Sequence, residues 1–125
     1  MEENAIGEAL LGAAVAVHKA LGPGLLERTY EACLAHELAK RGLRCERQVH
    51  LPVVYDGLVI EPGYRLDLLV AHLVVVEIKA VEAIIPVHRA QLLGYLRLGG
   101  YRLGYLLNFN VPFMRDGIHR FANGL

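Results

Sequence analysis

The stretch "LVVVEIKAVE", residues 73–82, constrains the fold more than any other part of the chain. Its apolar, β-branched run is typical of a buried strand, but Glu77 and Lys79 interrupt it. Because alternate residues of a strand share a face, these two side chains point the same way as Leu73 and Val75, whereas Val74, Val76 and Ile78 line the opposite, core face. A buried charge without a partner is costly. The pattern therefore predicts either a solvent-facing ion pair or a charged cleft.

A second carboxylate, Asp67, stands ten residues earlier in the apolar strand "YRLDLLV". A three-residue loop at 71–73 would bring Asp67 opposite Glu77, whereas a two-residue loop would send the two carboxylates to different faces. Converging carboxylates repel each other unless a cation lies between them, and hard oxygen ligands suit Mg²⁺. If a metal is bound here, we expect a loop longer than two residues, or a bulge, in the hairpin.

Polar residues also recur at helical spacing after Pro86. His88, Gln91 and Tyr95 form one stripe of a predicted helix whose other side is rich in leucine. The stripe is equally compatible with an ordinary solvated helix face. It is a candidate for substrate binding or site support because it follows the E-x-K strand.

The segment "GLLERTY" places Gly24, Glu27 and Tyr30 three residues apart, on one predicted helix face. The glycine would allow another backbone or a ligand to approach closely. A first-turn glutamate is also favoured by the helix dipole alone, so Glu27 has a purely structural interpretation as well.

The rest of the chain predicts an α/β fold with one central mixed sheet flanked by helices, residues 1–125 forming a single domain. Asn4 is a possible N-cap for the first helix, and Asp56-Gly57 is a strong hairpin turn. "EPG" at 61–63 is expected to separate two strands. The predicted helices cover residues 5–21, 25–41 and 86–98, and the predicted order is α-α-β-β-β-β-α-β, with a short extra strand at "IHRFA".

Composition narrows the class of protein. The chain is 54% hydrophobic, yet no apolar segment approaches the roughly 20 residues that span a bilayer. Its acidic N-terminus does not resemble a signal peptide, and Cys33 and Cys45 lack metal-site spacing. We therefore expect a cytoplasmic protein without a membrane partner, whose surplus apolar surface serves a homo-oligomer interface.

The net charge is zero, which argues against a non-specific coat on nucleic acid. The charges are unevenly distributed, with 8 basic and 12 acidic residues in 1–84 but 5 basic and 1 acidic in 85–125. The basic end is compatible with phosphate contacts and the acidic part with a cation. An ordinary solvated surface explains the charges equally well when they are taken alone.

The ordered set of motifs resembles the GxxExxY proteins of the PD-(D/E)XK nuclease superfamily, over about residues 5–110. The motifs, quoted from this sequence, are Gly24-x-x-Glu27-x-x-Tyr30, Asp67, Glu77-x-Lys79 and Gln91-x-x-x-Tyr95. The resemblance implies a restriction-endonuclease-like α-β-β-β-α-β core whose charged cluster binds a divalent metal, Mg²⁺ with Mn²⁺ as a possible substitute.

The same resemblance implies roles for individual residues. Asp67 and Glu77 would be metal ligands, and Glu27 a further ligand or a residue behind the ligands. Lys79 would orient the attacking water or stabilise charge at phosphorus. Gln91 and Tyr95 match an element that supports the site and contacts nucleic acid in related nucleases, while His88 and Tyr30 are candidates for site support.

Two functional hypotheses follow. The first is a Mg²⁺-dependent nuclease that hydrolyses phosphodiester bonds, in DNA more than in RNA, since a metal and a nearby lysine both offset developing negative charge. The second is a self-associating binding or assembly module that retains the fold and the metal site with little or no catalysis.

Overall fold

Two helices, three strands, a third helix and two further strands follow one another in the computed structural model, which describes residues 2–125 apart from the side chain of Pro62. The helices are α1 (Glu3–Leu21), α2 (Glu27–Lys40) and α3 (Pro86–Gly99). The strands are β1 (Cys45–Tyr55), β2 (Leu58–Val70), β3 (Val74–Lys79), β4 (Leu103–Asn108) and β5 (Ile118–Ala122), with a 3₁₀ helix at Met114–Gly117.

The five strands form one mixed sheet in the order β1-β2-β3-β4-β5. The first three form an antiparallel meander, β3 and β4 are parallel, and β5 returns antiparallel to β4. The helix α3 makes the crossover that a parallel β3–β4 pair requires. The predicted α/β class with a central mixed sheet is thus confirmed, as is the short strand at "IHRFA".

Both faces of the central strands are buried, which explains why β3 is apolar on both sides. On one face, Val74, Val76 and Ile78 pack with residues of α1 and α2. On the other, Val75 packs with Leu92 and residues around it on α3. The prediction placed the core on the first face only. Since α3 covers the second face too, Glu77 is only 6% exposed and does not face open solvent.

The hairpin β1–β2 differs from the predicted pair of short strands. "LVIE" and "YRLDLLV" are one continuous strand, because "EPG" forms an irregularity instead of a break. The register shifts between Leu51 and Val53, where residues 61–63 face a single residue of β1. Glycine is needed at position 63 because the Cβ of any other residue would overlap the Leu51 carbonyl oxygen.

Two predicted helix ends were misplaced. Glu2, not Asn4, caps α1, because its carboxylate accepts the N–H groups of Asn4 and Ala5. The second helix begins at Glu27, so Gly24 lies in the preceding loop and not on the helix face. Leu26, the residue just before this helix, is 71% exposed and does not join the core.

Among residues 2–125, helices fall short of the length and apolarity that crossing a membrane requires.

Two glycines provide a matched test of the packing. Gly94 lies inside α3 with open space where a Cβ would be, whereas a Cβ on Gly117 would overlap the Asn108 carbonyl oxygen. We expect Gly94→Ala to raise the free energy of unfolding by about 1 kcal/mol through helix propensity. Gly117→Ala should lower it by about 1–3 kcal/mol through overpacking. Urea denaturation measures both, and equal effects would contradict this packing.

Candidate active site

The carboxyl groups of Asp67 and Glu77 meet between β2 and β3. The Asp67 N–H donates to Glu77 Oε1 at 3.3 Å, and the Ile78 N–H donates to Asp67 Oδ2 at 2.8 Å. Each carboxyl thus accepts a backbone N–H group of the neighbouring strand. The pair stands one position beyond the last matched pair of the ladder, Leu68 and Val76.

The predicted three-residue loop is confirmed. Val70 pairs with Val74, which leaves residues 71–73 as the turn. Ala71 and His72 adopt positive φ angles of 52° and 61°, a left-handed conformation that tightens the turn. This register places Asp67 across from Glu77, as the metal-site hypothesis requires.

The environment of the pair disfavours two negative charges. Burial, and then the charge of Asp67, raises the pKa of Glu77 from 4.5 to about 9. Burial also raises the pKa of Asp67, and it outweighs the hydrogen bond from the Ile78 N–H, which lowers this pKa. The Lys79 charge lowers the pKa of both carboxyls. Without a cation, Glu77 therefore keeps its proton at neutral pH.

A cleft of about 600 Å³ opens beside Asp67, between the start of α2 and the strands. Glu27, the first residue of α2, lines this cleft and accepts the Ala80 N–H at 3.2 Å through Oε2. The structure therefore brings Glu27 and Asp67 to one cleft. Its wall also includes Leu25, Leu26, Arg28, Glu31, Gln48, Ile78 and Ala80.

Glu31 belongs to the site although it was not among the predicted residues. It is 6% exposed, lies one turn after Glu27, and accepts bonds from Arg47 at 3.0 Å and Gln48 at 2.7 Å. The i, i+4 spacing from Glu27 was a signal for it. Gln48 carried no such signal, because its place depends on a positive φ of 53° inside β1.

Asn108, at the end of β4, is a positioning residue that was also not predicted. It is 2% exposed and bonds both backbone groups of Val81, accepting at 3.1 Å and donating at 3.0 Å. The next residue, Phe109, donates its N–H to the Lys79 carbonyl at 3.0 Å. The end of β3, which carries Lys79, is thereby fixed to β4.

The candidates on α3 lie on the opposite side of the sheet from α2. Gln91 is exposed and Tyr95 is 8% exposed, and both line a second cavity of about 370 Å³. Tyr95 packs on Tyr64 with ring centroids 5.3 Å apart. Burial, and then the charge of Glu77, raises the pKa of Tyr95.

His88 has a local role. Its Nδ1 accepts the Ile85 N–H at 3.2 Å and so satisfies a free donor at the start of α3. This bond orients the ring toward the helix end. The predicted stripe is therefore divided between a helix cap and the cavity that Gln91 and Tyr95 line.

Tyr30 is a buried clamp. Its hydroxyl donates to the Gly22 carbonyl at 2.6 Å and accepts the Leu25 N–H at 3.1 Å. Its ring stacks on Phe109 with centroids 4.6 Å apart.

No other backbone approaches Gly24 closely. In the part of the chain that the structure describes, no atom beyond the two neighbouring residues lies within 4 Å of the place where a Cβ on Gly24 would stand. The expected approach of another backbone is therefore wrong, whereas the approach of a ligand stays a prediction. The φ of 97° at this position explains the glycine instead, because side chains with a Cβ rarely adopt it.

Comparison with known proteins now places the chain in a family. The family model described as the PD-(D/E)XK nuclease superfamily matches residues 4–121. The chain belongs to this superfamily. Searches of curated proteins and of solved structures found no match. The match is to the superfamily as a whole, so the narrower GxxExxY assignment stays a prediction.

PD-(D/E)XK nucleases commonly use divalent metals, and the carboxyl pair of this member fits such an ion. Asp67 and Glu77 offer hard oxygen donors, and a cation between them would offset the burial and the Asp67 charge that raise the pKa of Glu77. Across residues 2–125, no three or more His, Cys, Asp or Glu side chains are grouped to hold a metal. The third predicted ligand, Glu27, is bonded to the Ala80 N–H.

The raised pKa of Glu77 predicts a pH-dependent stability in this PD-(D/E)XK chain. Between 4.5 and about 9, the folded protein holds a proton on Glu77 that the unfolded chain releases. Stability without metal should therefore fall as the pH rises through this range, by up to about 1 kcal/mol per unit. Urea denaturation in EDTA at several pH values measures the slope.

The neutral variant Glu77→Gln should flatten that slope, whereas Glu61→Gln, at an exposed carboxylate, serves as a control and should leave it unchanged. An equal slope in wild type and Glu77→Gln would assign the pH dependence to another group.

The clamp is tested by removing one hydroxyl. Tyr30→Phe leaves the Gly22 carbonyl and the Leu25 N–H without their partner, so the free energy of unfolding should fall by about 1–3 kcal/mol. Faster hydrogen exchange at the Leu25 amide should accompany the loss. Tyr55→Phe, at a side chain that is 72% exposed, should change stability by less than about 0.5 kcal/mol. Similar effects of both variants would argue against a clamp.

Proposed function

We propose that the chain is a divalent-metal-dependent nuclease that hydrolyses phosphodiester bonds in nucleic acid, in DNA more than in RNA. The observation that carries this proposal is the meeting of two carboxyl groups, Asp67 and Glu77, each bonded to a backbone N–H of the opposite strand, with Lys79 two residues after Glu77 on β3. Membership of the PD-(D/E)XK nuclease superfamily supports the reaction class.

Asp67 and Glu77 would hold the metal, Mg²⁺ or Mn²⁺, through their carboxylate oxygens. Glu27 would join them as a third ligand after releasing the Ala80 N–H, since it lines the same cleft as Asp67. Such an ion lowers the pKa of water and neutralises charge on a phosphodiester. Because Glu77 must lose its proton first, metal affinity should fall as the pH falls.

Lys79, two residues after Glu77 on β3, would supply the positive charge of the site. We assign it to orienting the attacking water and to stabilising the negative charge that develops at phosphorus. Its backbone carbonyl accepts the Phe109 N–H, which supports this role because the strand end that carries Lys79 is held in place.

On the α3 side, Tyr95 and Gln91 are proposed to support the site and contact the substrate. Burial, and then the charge of Glu77, raises the pKa of Tyr95, which supports a role for Tyr95 in orienting that carboxyl. Gln91 is exposed one turn earlier, where it is accessible to a nucleic-acid strand. Tyr30 and His88 act indirectly, by fixing the loop before Glu27 and the start of α3.

The positive charge for nucleic-acid binding is dispersed. Arg28 lines the cleft, and Arg97 is exposed at the end of α3. Arg102 lies 3.9 Å from Glu3, and Arg120 donates to Asn4, so both contact α1. The hypothesis of a basic end that faces phosphate therefore applies best to Arg97.

We also propose that residues 1–125 act as one domain, in the cytoplasm, where the free thiols of Cys33 and Cys45 stay reduced.

A second candidate function is a metal-binding assembly module with little turnover. The orientation of Glu27 favours this second function. Its carboxylate is bonded to the Ala80 N–H, so that only two of the three predicted ligands, Asp67 and Glu77, meet between β2 and β3. The broad apolar surface of the β1–β2 hairpin also favours self-association.

Metal titration and cleavage assays on the same samples distinguish the two functions. Calorimetry with Mg²⁺ and Mn²⁺ should show binding to wild type and its loss in Asp67→Ala. Single- and double-stranded DNA and RNA should be cut only with metal, and Asp67→Ala should lower the rate at least about 100-fold. Lys79→Met should lower the rate by about 100-fold while retaining metal binding.

Asp116→Asn, at an exposed carboxylate on the 3₁₀ helix, is the control and should keep both metal binding and cleavage. Metal binding without cleavage of any substrate would favour the assembly module. Cleavage that survives Asp67→Ala would contradict the proposed site.

A further inference from the structure

Gln48 adopts a backbone conformation that is unusual inside a strand. Its φ is 53°, in the left-handed region that residues with a Cβ seldom occupy. Consecutive residues of a regular strand point to opposite faces, yet Arg47 and Gln48 both donate to the carboxylate of Glu31 on α2. The positive φ therefore turns the Gln48 side chain to the face of the sheet on which α2 lies.

The turned side chain reaches the candidate active site. Arg47 pairs with Leu68. The next position of the same antiparallel register brings Gln48 opposite Asp67, and both residues line the cleft of about 600 Å³ that Glu27 also lines. Strained backbone of this kind is concentrated at functional sites, where the surrounding structure holds it in place. Here the strain presents an amide group to the cleft, across from the carboxyl of Asp67.

The bond to Glu31 determines the orientation of the Gln48 amide. Its Nε2 donates to Glu31 Oε1 at 2.7 Å, because the reverse orientation would bring the amide oxygen against a carboxylate oxygen. Glu31 is itself 6% exposed and bonded to Arg47, so its position is fixed. The amide oxygen of Gln48, which can only accept, is consequently directed away from Glu31.

An amide oxygen is a hard, uncharged donor of the kind that divalent cations bind. It does not suit a phosphate oxygen, because both groups are acceptors. Mg²⁺ requires an octahedral shell of oxygen ligands, but within the described part of the chain no three or more His, Cys, Asp or Glu side chains are grouped to hold a metal. Asp67 and Glu77 therefore need other oxygen atoms to complete a site, and an uncharged one adds no repulsion to the pair.

We propose that Gln48 is a further ligand of the divalent cation, which it binds through its amide oxygen together with Asp67. Glu31 is then a positioning residue, because it orients the amide without touching the ion. This inference rests on the metal site of the proposed function and adds to it a ligand from a third strand, β1. It does not require that nucleic acid is cleaved.

Calorimetric titration with Mg²⁺ and Mn²⁺ tests the ligand. Gln48→Gly removes the side chain and introduces a residue for which a φ of 53° is unstrained, so the fold should persist by circular dichroism. The dissociation constant for both ions should rise roughly tenfold. Asp56→Gly is the matched control, since Asp56 is exposed, has a φ of 49° and lies outside the cleft. It should bind both ions as wild type does.

Glu31→Gln tests the positioning role. The variant keeps the size of the side chain but no longer fixes the Gln48 amide, so metal binding should weaken. The loss should be larger in wild type than in the Gln48→Gly background, because only wild type has an amide to orient. Equal losses in both backgrounds would assign the effect to the charge of Glu31 and overturn its positioning role.

If Gln48→Gly fails to fold, carbon NMR of wild type decides. Mg²⁺ should shift the side-chain carbonyl resonance of Gln48 and leave that of Gln91, the other glutamine of the chain, in place; two unmoved resonances would contradict the proposal. Unchanged metal affinity in Gln48→Gly, with affinity lost in Asp67→Ala, would overturn the ligand role alone. Wild type without metal binding would overturn the proposed function as well. Binding that Gln48→Gly weakens, without any cleavage, would uphold the ligand and count against the nuclease.

Discussion

The contact between the Asp67 and Glu77 carboxyls is the constraint on which the site depends. It forms where β2 and β3 leave their regular ladder, and each carboxyl accepts an N–H from the strand opposite. Two like charges in a buried position would separate the strands unless a proton or a cation is shared between them. At neutral pH the proton that Glu77 keeps prevents this repulsion, and a divalent cation that displaces the proton would prevent it as well.

Other elements bring further groups to this point. Tyr30 fixes the loop that leads into α2 and so places Glu27 at the cleft, while Phe109 joins Tyr30 to the end of β4. Asn108 and Phe109 in turn fix the chain around Lys79. The positions of the side chains that α2, β2 and β3 bring to the site thus depend on a small set of buried contacts whose polar groups are hydrogen-bonded.

The periodicity of the sequence predicted much of this architecture. Alternation in β3 placed Glu77 and Lys79 on one face, and the distance to Asp67 predicted the three-residue turn. What the sequence did not reveal depends on contacts distant along the chain. The continuous β2 was hidden by "EPG", because a bulge opposite Pro52 absorbs the irregularity. The hydrogen bond between Glu31 and Gln48 depends on a positive φ at Gln48, which no local sequence pattern predicts. The partners of Glu27 and His88 are backbone groups, which have no sequence signature.

The turn at residues 71–73 also has a consequence for how this protein tolerates change. Surface turns usually accept insertions and deletions because little depends on their length. Here the turn must have an odd number of residues, because an even number would place Asp67 and Glu77 on opposite faces of the hairpin. A one-residue deletion would leave a plausible hairpin and an apolar core, but it would send one of the two carboxylates to the opposite face. The length of this turn is therefore as much part of the site as the acids themselves.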